Sequence, residues 1–268
     1  MNAQDTMNPR EWYGPVMPAG FPTGIYDAIH GSFNQGNLKR GLMPDALLPK
    51  EFRSGWLNIQ YAFRACAEHS AAYTSAVNSG DQENWDSERF YIIASSLLGF
   101  FSTGQAVLES ASYAMLVLAG ILEPAKVPLV VQQEKKSKQA KSKAAPTVYE
   151  LVRANPETTR DIYTKHLADT KAASALAFVN DARWKEWKAF RNTLAHRSLP
   201  NMHLKIDVDL FGEHKTDWVR WELALADRHL YLNESTTVDR LSWLLSVTTD
   251  LIQGGYDLID QRLSKIPR

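Results

Sequence analysis

The chain has 268 residues, 44% of them hydrophobic, so it is long enough to bury a sizeable core in one large domain or two small ones. Thirty basic and thirty acidic residues cancel. This balance argues against a general nucleic-acid-binding protein, which is more often basic overall, and restricts any RNA contact to a local patch. The single cysteine, Cys66, excludes an intramolecular disulfide and suits a reducing compartment. The first residues show no basic region followed by an apolar run, so we expect a cytoplasmic protein.

Residues 1–53 are predicted to form an irregular N-terminal arm. Proline and glycine recur throughout this segment and leave little room for a long helix. Its aromatic residues argue against simple disorder; they include Trp12, Tyr13, Phe21, Tyr26 and Phe33. Two interpretations stay open: an ordered arm that lies across the rest of the chain or across a partner subunit, and a loosely attached tail.

Helical periodicity begins after the arm. Apolar residues at three-and-four spacing predict a helix over Ser54–Ser79 and a more apolar one over Ser87–Ile121. The second helix has no charged residue between Phe90 and Leu108, and its length is sufficient to span a bilayer. Small and polar residues within it, and the lack of a basic cluster beside it, favour the central helix of a bundle. We therefore expect no membrane contact.

Glu109 follows directly after the uncharged stretch of this helix. An ionised carboxylate that is buried needs a partner, because leaving it unpaired is costly or shifts its pKa. Arg191 is the predicted partner, and Glu109 would then orient its guanidinium as a supporting residue. The alternative is a solvated carboxylate on the outer edge of the helix.

Residues 124–147 are predicted to be a charged, mobile connection. Prolines flank a run of lysines; these are Lys135, Lys136, Lys138, Lys141 and Lys143. A solvated linker is favoured over an arm that contacts RNA. Helical pieces over 147–154 and 156–169 follow, the second with Pro156 in its first turn.

A long amphipathic helix is predicted from Lys171 to His196. Its apolar stripe has helical spacing and consists of Trp184, Trp187, Phe190, Leu194 and Ala195. The last two turns carry Arg191, Asn192 and His196. At about 100° per residue, Asn192 and His196 point the same way, whereas Arg191 and His196 lie about 140° apart. A long arginine side chain can bridge that angle.

Arg191 and His196 are sufficient equipment for phosphodiester chemistry. An arginine can hold a phosphate through paired hydrogen bonds, and a histidine can transfer a proton near neutral pH. The alternative interpretation is that both residues only complement the dipole at the C-terminus of the helix.

The segment Arg191–Arg197 reads Arg-Asn-Thr-Leu-Ala-His-Arg and resembles the Arg-x(4–6)-His motif of the HEPN superfamily, in its Arg-Asn-x-x-x-His form. The motif ends a long amphipathic helix and directly follows an aromatic residue, Phe190, which adds to the resemblance. The resemblance covers residues 54–121 and 170–197 and the last helix. It implies an all-helical bundle, and many members of the superfamily are metal-independent endoribonucleases that act as toxins or in defence against phage.

The resemblance also implies residue roles and partners. Arg191, Asn192 and His196 are the implied catalytic residues, with Glu109 and Arg197 in supporting positions. RNA is the implied substrate, a homodimer brings two motifs together, and a cognate antitoxin is a further implied partner. No cofactor is expected, and no metal, since the histidines show no ligand spacing. A non-catalytic HEPN-like module that binds a nucleotide or a protein is the alternative.

After the motif, apolar and charged residues alternate, which predicts a β-hairpin over residues 202–226. A final helix is predicted over Thr237–Ser264, with a kink or loosening expected at Gly254-Gly255. The predicted fold is mainly α. It is a HEPN-like helical bundle of four to five core helices over residues 54–268, with an inserted β-hairpin and an extended N-terminal arm.

Overall fold

The computed structural model describes residues 16–39, 47–78, 87–130, 149–151, 154–196, 201–208, 214–224, 229–233 and 235–263. Over these ranges the protein is mainly helical, which confirms the predicted fold class at that level. The α-helices are α1 (Thr23–Lys39), α2 (Leu47–Asn78), α3 (Ser87–Leu122), α4 (Pro156–Ile162), α5 (Thr170–Ala175), α6 (Ala182–His196) and α7 (Ser235–Leu263).

Short strands accompany the helices. Strands β1 (Leu129–Val130) and β2 (Tyr149–Glu150) pair in parallel. Strands β3 (Asn201–Val208), β4 (His214–Ala224) and β5 (His229–Leu232) form an antiparallel sheet in the order β3-β4-β5. The register of the β3–β4 pair shifts after Lys205, which is the signature of a β-bulge.

The chain divides into two compact units. The first unit comprises the described parts of Met1–Arg64, Val107–Ala177 and Thr248–Arg268, and the second comprises those of Ala65–Ala106 and Phe178–Val247. Helices α2, α3 and α7 contribute residues to both units, whereas α1, α4 and α5 belong to the first and α6 belongs to the second.

In the first unit, aromatic side chains hold α1 against α2. The ring of Tyr26 stacks on Trp56 at a centroid distance of 5.2 Å, and Phe33 stacks on Phe52 at 4.1 Å. The Tyr26 hydroxyl also donates a hydrogen bond of 2.7 Å to the backbone oxygen of Trp56. Tyr26, Ile29 and Phe33 recur at helical spacing and are buried, so α1 presents one apolar face to α2.

The prediction of an irregular arm over residues 1–53 was wrong for 23–39 and 47–53, which are helical. No proline lies between Pro22 and Pro44. Only glycines interrupt the apolar pattern there, and a glycine weakens a helix by about 1 kcal/mol relative to alanine. Burial of the aromatic face outweighs that cost. The rest of the arm lies mostly outside the described residues.

Helix α4 begins as its sequence predicts, with Pro156 in the first turn and Asn155 as the N-cap. The Asn155 side chain accepts a hydrogen bond of 2.7 Å from the backbone N–H of Thr158. The helix predicted over 147–154 was wrong at Tyr149–Glu150, which pair with β1 as β2. A long-range partner strand therefore overrode the local pattern.

Helix α3 matches the predicted helix. By length and composition it could cross a membrane, and 67% of its most apolar window is buried inside the protein. Burial of a helix in the core of a protein is enough to explain such an apolar sequence.

Helix α7 is continuous through Gly254 and Gly255, and the kink or loosening expected there stays a prediction. A Cβ atom at Gly254 would lie 2.9 Å from the Cβ of Ala175, so this glycine permits a close approach of α5. The lysine run of the predicted connection 124–147 lies outside the described residues.

Candidate active site on helix α6

The motif helix is shorter than predicted. Instead of one helix over Lys171–His196, the chain forms α5, a 3₁₀ turn over Leu176–Asn180 and then α6. The break lies at Asp181, whose Oδ1 accepts a hydrogen bond of 2.9 Å from the backbone N–H of Arg183. This is an N-cap contact, which favours starting a new helix over continuing the old one.

Asp181 also anchors the start of α6 through its side chain. The carboxylate pairs with the Arg183 guanidinium at 3.2 Å and accepts a hydrogen bond of 3.2 Å from the indole of Trp243 on α7. Burial by itself would raise the pKa of Asp181, but the hydrogen bonds and charge of Arg183 and the bond from Trp243 outweigh it and lower the pKa. The cap is therefore charged at neutral pH.

The apolar stripe of α6 faces α3. The indole N–H of Trp187 donates a hydrogen bond of 2.8 Å to the backbone oxygen of Phe101, and the Phe190 ring stacks on the Phe101 ring at 4.6 Å. A Cβ atom at Gly104 would lie 2.1 Å from Cζ2 of Trp187, so only glycine leaves room for the indole. The predicted stripe is buried at Trp184, Trp187, Phe190 and Leu194, while Ala195 is exposed.

An ion pair from α7 fixes the rotation of α6. Arg240 donates to Glu186 at 3.1 Å, and both side chains are only 19% exposed. The Arg240 guanidinium also lies 5.0 Å from the centroid of the Phe190 ring and donates to the backbone oxygen of Thr236 at 2.8 Å. These directional contacts prevent α6 from turning about its axis, and so they determine which residues face solvent.

The first two motif residues lie together on the polar side of α6. Asn192 is exposed and Arg191 is half-buried. Nη1 of Arg191 donates a hydrogen bond of 3.1 Å to Oδ1 of Asn192, which draws the guanidinium toward the Asn192 face. Among the described residues Arg191 has no other hydrogen-bond partner. Its remaining N–H groups are available to a ligand.

His196 is the last residue of α6, and its side chain lies outside the described part of the structure. On an ideal helix, its position lies within about 20° of Lys185 and Ala189 and about 40° from Asn192. Lys185, Ala189 and Asn192 are all exposed. Contact between the imidazole and the Arg191 guanidinium stays a prediction. Arg197 lies outside the described residues.

Glu109 is exposed on α3. The premise that this carboxylate is buried was therefore wrong, and its exposure agrees with the alternative of a position on the outer edge of the helix. A pairing between Glu109 and Arg191 stays a prediction.

Other groups offer less chemistry. Cys66 is buried, and its thiol donates to the backbone oxygen of Phe100 at 3.4 Å. Burial raises the pKa of Cys66 to about 12, despite a side-chain hydrogen bond with Thr103 that lowers it, so the thiol is protonated and a poor nucleophile at neutral pH. The described residues contain no group of three or more His, Cys, Asp or Glu side chains placed to hold a metal ion.

Sequence reasoning missed the residues that hold α6 in place. Gly104 carries a usable signal, because an isolated glycine inside an apolar helix often marks a close approach. Arg240 and Glu186 carry none, since they lie 54 residues apart and nothing local pairs them.

No protein-family model, no curated protein and no solved structure matches the chain.

Proposed function

We propose that the protein is a metal-independent endoribonuclease of the HEPN type, built on a HEPN-like helical bundle. One observation carries the proposal. Arg191 is hydrogen-bonded to Asn192 on the polar side of α6, five residues before His196, and its other guanidinium donors have no partner in the part of the chain that the structure describes. A guanidinium that one hydrogen bond orients, and that keeps N–H donors for a ligand, is suited to bind a phosphate.

In the proposed reaction the 2′-hydroxyl of RNA attacks the adjacent phosphorus. His196 accepts the proton of that hydroxyl as general base, a role that usually contributes about 10²–10⁴-fold to the rate. Arg191 stabilises the additional negative charge on the pentacoordinate phosphate. Asn192 holds the guanidinium in place and fixes the phosphate or the imidazole by hydrogen bonding.

The bond from phosphorus to the 5′-oxygen then breaks. The leaving oxygen takes a proton from a general acid, and the products carry a 2′,3′-cyclic phosphate and a 5′-hydroxyl. In a homodimer a second His196 supplies that acid. DNA lacks the 2′-hydroxyl and is not a substrate.

The proposed biological setting follows from the same resemblance. A cytoplasmic endoribonuclease of this kind acts as a toxin or in phage defence, and a cognate antitoxin is its expected partner. With no net charge on the chain, its contact with RNA is local.

The decisive experiment is RNA cleavage in excess chelator. We expect wild type to cut single-stranded RNA and to leave 2′,3′-cyclic phosphate ends. His196→Ala abolishes cutting, and Arg191→Lys strongly reduces it, because an ammonium keeps the charge but loses the paired donors. His166→Ala is the matched control, since His166 is exposed on another segment and should have no effect. Cutting that requires a divalent metal, or that survives His196→Ala, would refute the mechanism.

The second candidate is a non-catalytic HEPN-like module that binds a nucleotide or a protein partner. The overall neutral charge favours it, because an RNA-processing surface is more often basic. A 2′-O-methyl RNA, which lacks the attacking hydroxyl, separates the candidates. A module cuts neither this RNA nor the matching unmodified RNA, whereas the enzyme cuts the unmodified RNA alone.

A further inference from the structure

A second site lies in the first unit, on helix α2. Residues of α2 and α3 line an open cleft of about 480 Å³, a volume within the range of small-molecule sites. Three polar residues of α2, Glu51, Ser54 and Asn58, follow one another along one side of the helix at three- and four-residue spacing, and Tyr61 continues the row. The row from Glu51 to Tyr61 extends for about 15 Å, at 1.5 Å per residue.

The cleft is built by a close approach of two helices. A Cβ atom at Gly55 would lie 2.9 Å from Cδ1 of Tyr113, so the Tyr113 ring on α3 lies against the backbone of α2. This position lets the Tyr113 hydroxyl donate a hydrogen bond of 2.5 Å to Oε2 of Glu51. Burial, together with the bond to Glu51 and its charge, raises the pKa of Tyr113, which keeps the hydroxyl a donor.

The row contains side-chain oxygen atoms that can accept hydrogen bonds from a ligand. Tyr113 occupies one oxygen of Glu51, and Oε1 has no hydrogen-bond partner among the described residues. Asn58 donates its amide to Oγ of Ser110 at 2.7 Å, which leaves its Oδ1 likewise open. Of the described residues that line the cleft, Glu51 alone is charged, and it gives this lining a negative charge. The Tyr61 ring, 57% exposed, ends the row.

We propose that this cleft binds a linear aliphatic polyamine. One ammonium group donates to Oε1 of Glu51, the chain follows Ser54 and Asn58 along α2, and the far ammonium group lies over the ring of Tyr61. A carboxylate and amide oxygens accept from ammonium groups, and an aromatic face attracts a cation. The linear spacing of the acceptors selects an extended cation over a compact one.

Titration calorimetry of the full chain with spermidine, in the absence of RNA, tests the proposal. We expect one saturable site at physiological ionic strength. Glu51→Gln keeps an acceptor for the Tyr113 hydroxyl but removes the charge, and it weakens binding about tenfold, as expected for the loss of one charge-assisted hydrogen bond. Tyr61→Leu, at an exposed position, weakens it about threefold. Glu88→Gln, which removes an exposed carboxylate elsewhere, leaves it unchanged.

Control ligands separate recognition from general charge attraction. Hexaamminecobalt(III) has the same charge as spermidine but is compact, and it should bind more weakly than spermidine. A capped lysine peptide tests whether the site takes a protein side chain instead of a free amine. Equal affinity for the compact cation, tighter binding of the peptide, or unchanged spermidine binding by Glu51→Gln and Tyr61→Leu would each overturn the proposal. So would the absence of binding to wild type.

Discussion

The two units contain aromatic clusters of similar size that are built differently. The α1–α2 cluster consists of Tyr26, Phe33, Phe52 and Trp56, whose rings stack nearly parallel, with interplanar angles of 15–29°. Phe21, which precedes α1, adds a tilted contact with Tyr26 at 58°. The α6 cluster mixes stacked and edge-on contacts, from 10° to 84°; its members are Phe100, Phe101, Trp187, Phe190 and Trp243.

The polar contacts differ more than the rings do. In the described α1–α2 cluster, the Tyr26 hydroxyl donates a hydrogen bond to the backbone oxygen of Trp56. Most of the stabilisation of this cluster comes from the burial of apolar surface. In the α6 cluster, two indole N–H groups and the Arg240 guanidinium make directional bonds. Apolar contacts tolerate small rotations of a helix, but directional bonds do not. The α6 cluster is therefore suited to hold α6 in one rotation and so to position the motif on the opposite face of that helix. Substitutions in the α6 cluster should affect both the stability of the protein and the proposed activity.

The largest effect is expected at the glycine under Trp187. Gly104→Ala places a methyl group inside the indole, and we expect a loss of about 3 kcal/mol in the free energy of unfolding, because overpacking forces the cluster apart. RNA cleavage should fall with it. Gly31→Ala on α1 is the matched control: nothing lies within 4 Å of the added atom, and alanine should stabilise the helix by about 0.5–1 kcal/mol. Chemical denaturation of both variants measures the contrast, and a mild effect of Gly104→Ala would contradict the tight packing.

The next effect is expected at the ion pair between α6 and α7. Arg240→Met keeps the aliphatic packing on Phe190 but removes the charge beside Glu186, and we expect a loss of about 2 kcal/mol, since both side chains are mostly buried. The double variant with Glu186→Gln should recover part of it. A double-mutant cycle measures the coupling. Purely additive effects would show that the pair does not fix α6.

A smaller effect is expected in the α1–α2 cluster. Tyr26→Phe removes the hydrogen bond to the backbone oxygen of Trp56 and should cost about 1 kcal/mol, without a change in RNA cleavage. Tyr91→Phe, at a residue that is 64% exposed, should cost nothing measurable. Thermal unfolding and cleavage assays are the measurements. A loss of cleavage in Tyr26→Phe at unchanged stability would contradict the division of roles between the clusters.

The smallest effect concerns acid. Because the folded-state pKa of Asp181 is lowered, its bonds to Arg183 and Trp243 stabilise the fold above the ordinary value of 3.8, and this contribution is lost as the pH falls below it. Asp181→Asn should therefore flatten the decline of stability in that range. Asp161→Asn is the control: a bond from Lys165 lowers the pKa of Asp161 as well, but the pair is exposed and contributes little. Thermal melts across acidic pH compare the two variants, and equal flattening by both would refute a special role for the α6 cap.

Local patterns predicted several elements well. The apolar run of α3, the Asn155–Pro156 start of α4 and the buried stripe at Trp184, Trp187 and Phe190 all follow from residues within one or two turns. Predictions failed where distant residues decided the outcome. Helix α1 forms because Trp56 and Phe52 cover its aromatic face, and β2 forms because β1 lies beside it.

For the candidate site, the sequence by itself determined that Arg191, Asn192 and His196 share the last turns of one helix, because helix geometry fixes the angles between neighbours. Only the tertiary structure decided which side of that helix faces solvent, that the Arg191 guanidinium turns toward Asn192, and that Glu109 is exposed. The solvent-facing side of α6 depends on its packing against α3 and α7, whose contacting residues lie 54 or more positions away in the chain. The periodicity of apolar residues describes a single helix, whereas the burial of a side chain depends on which other helices pack against it.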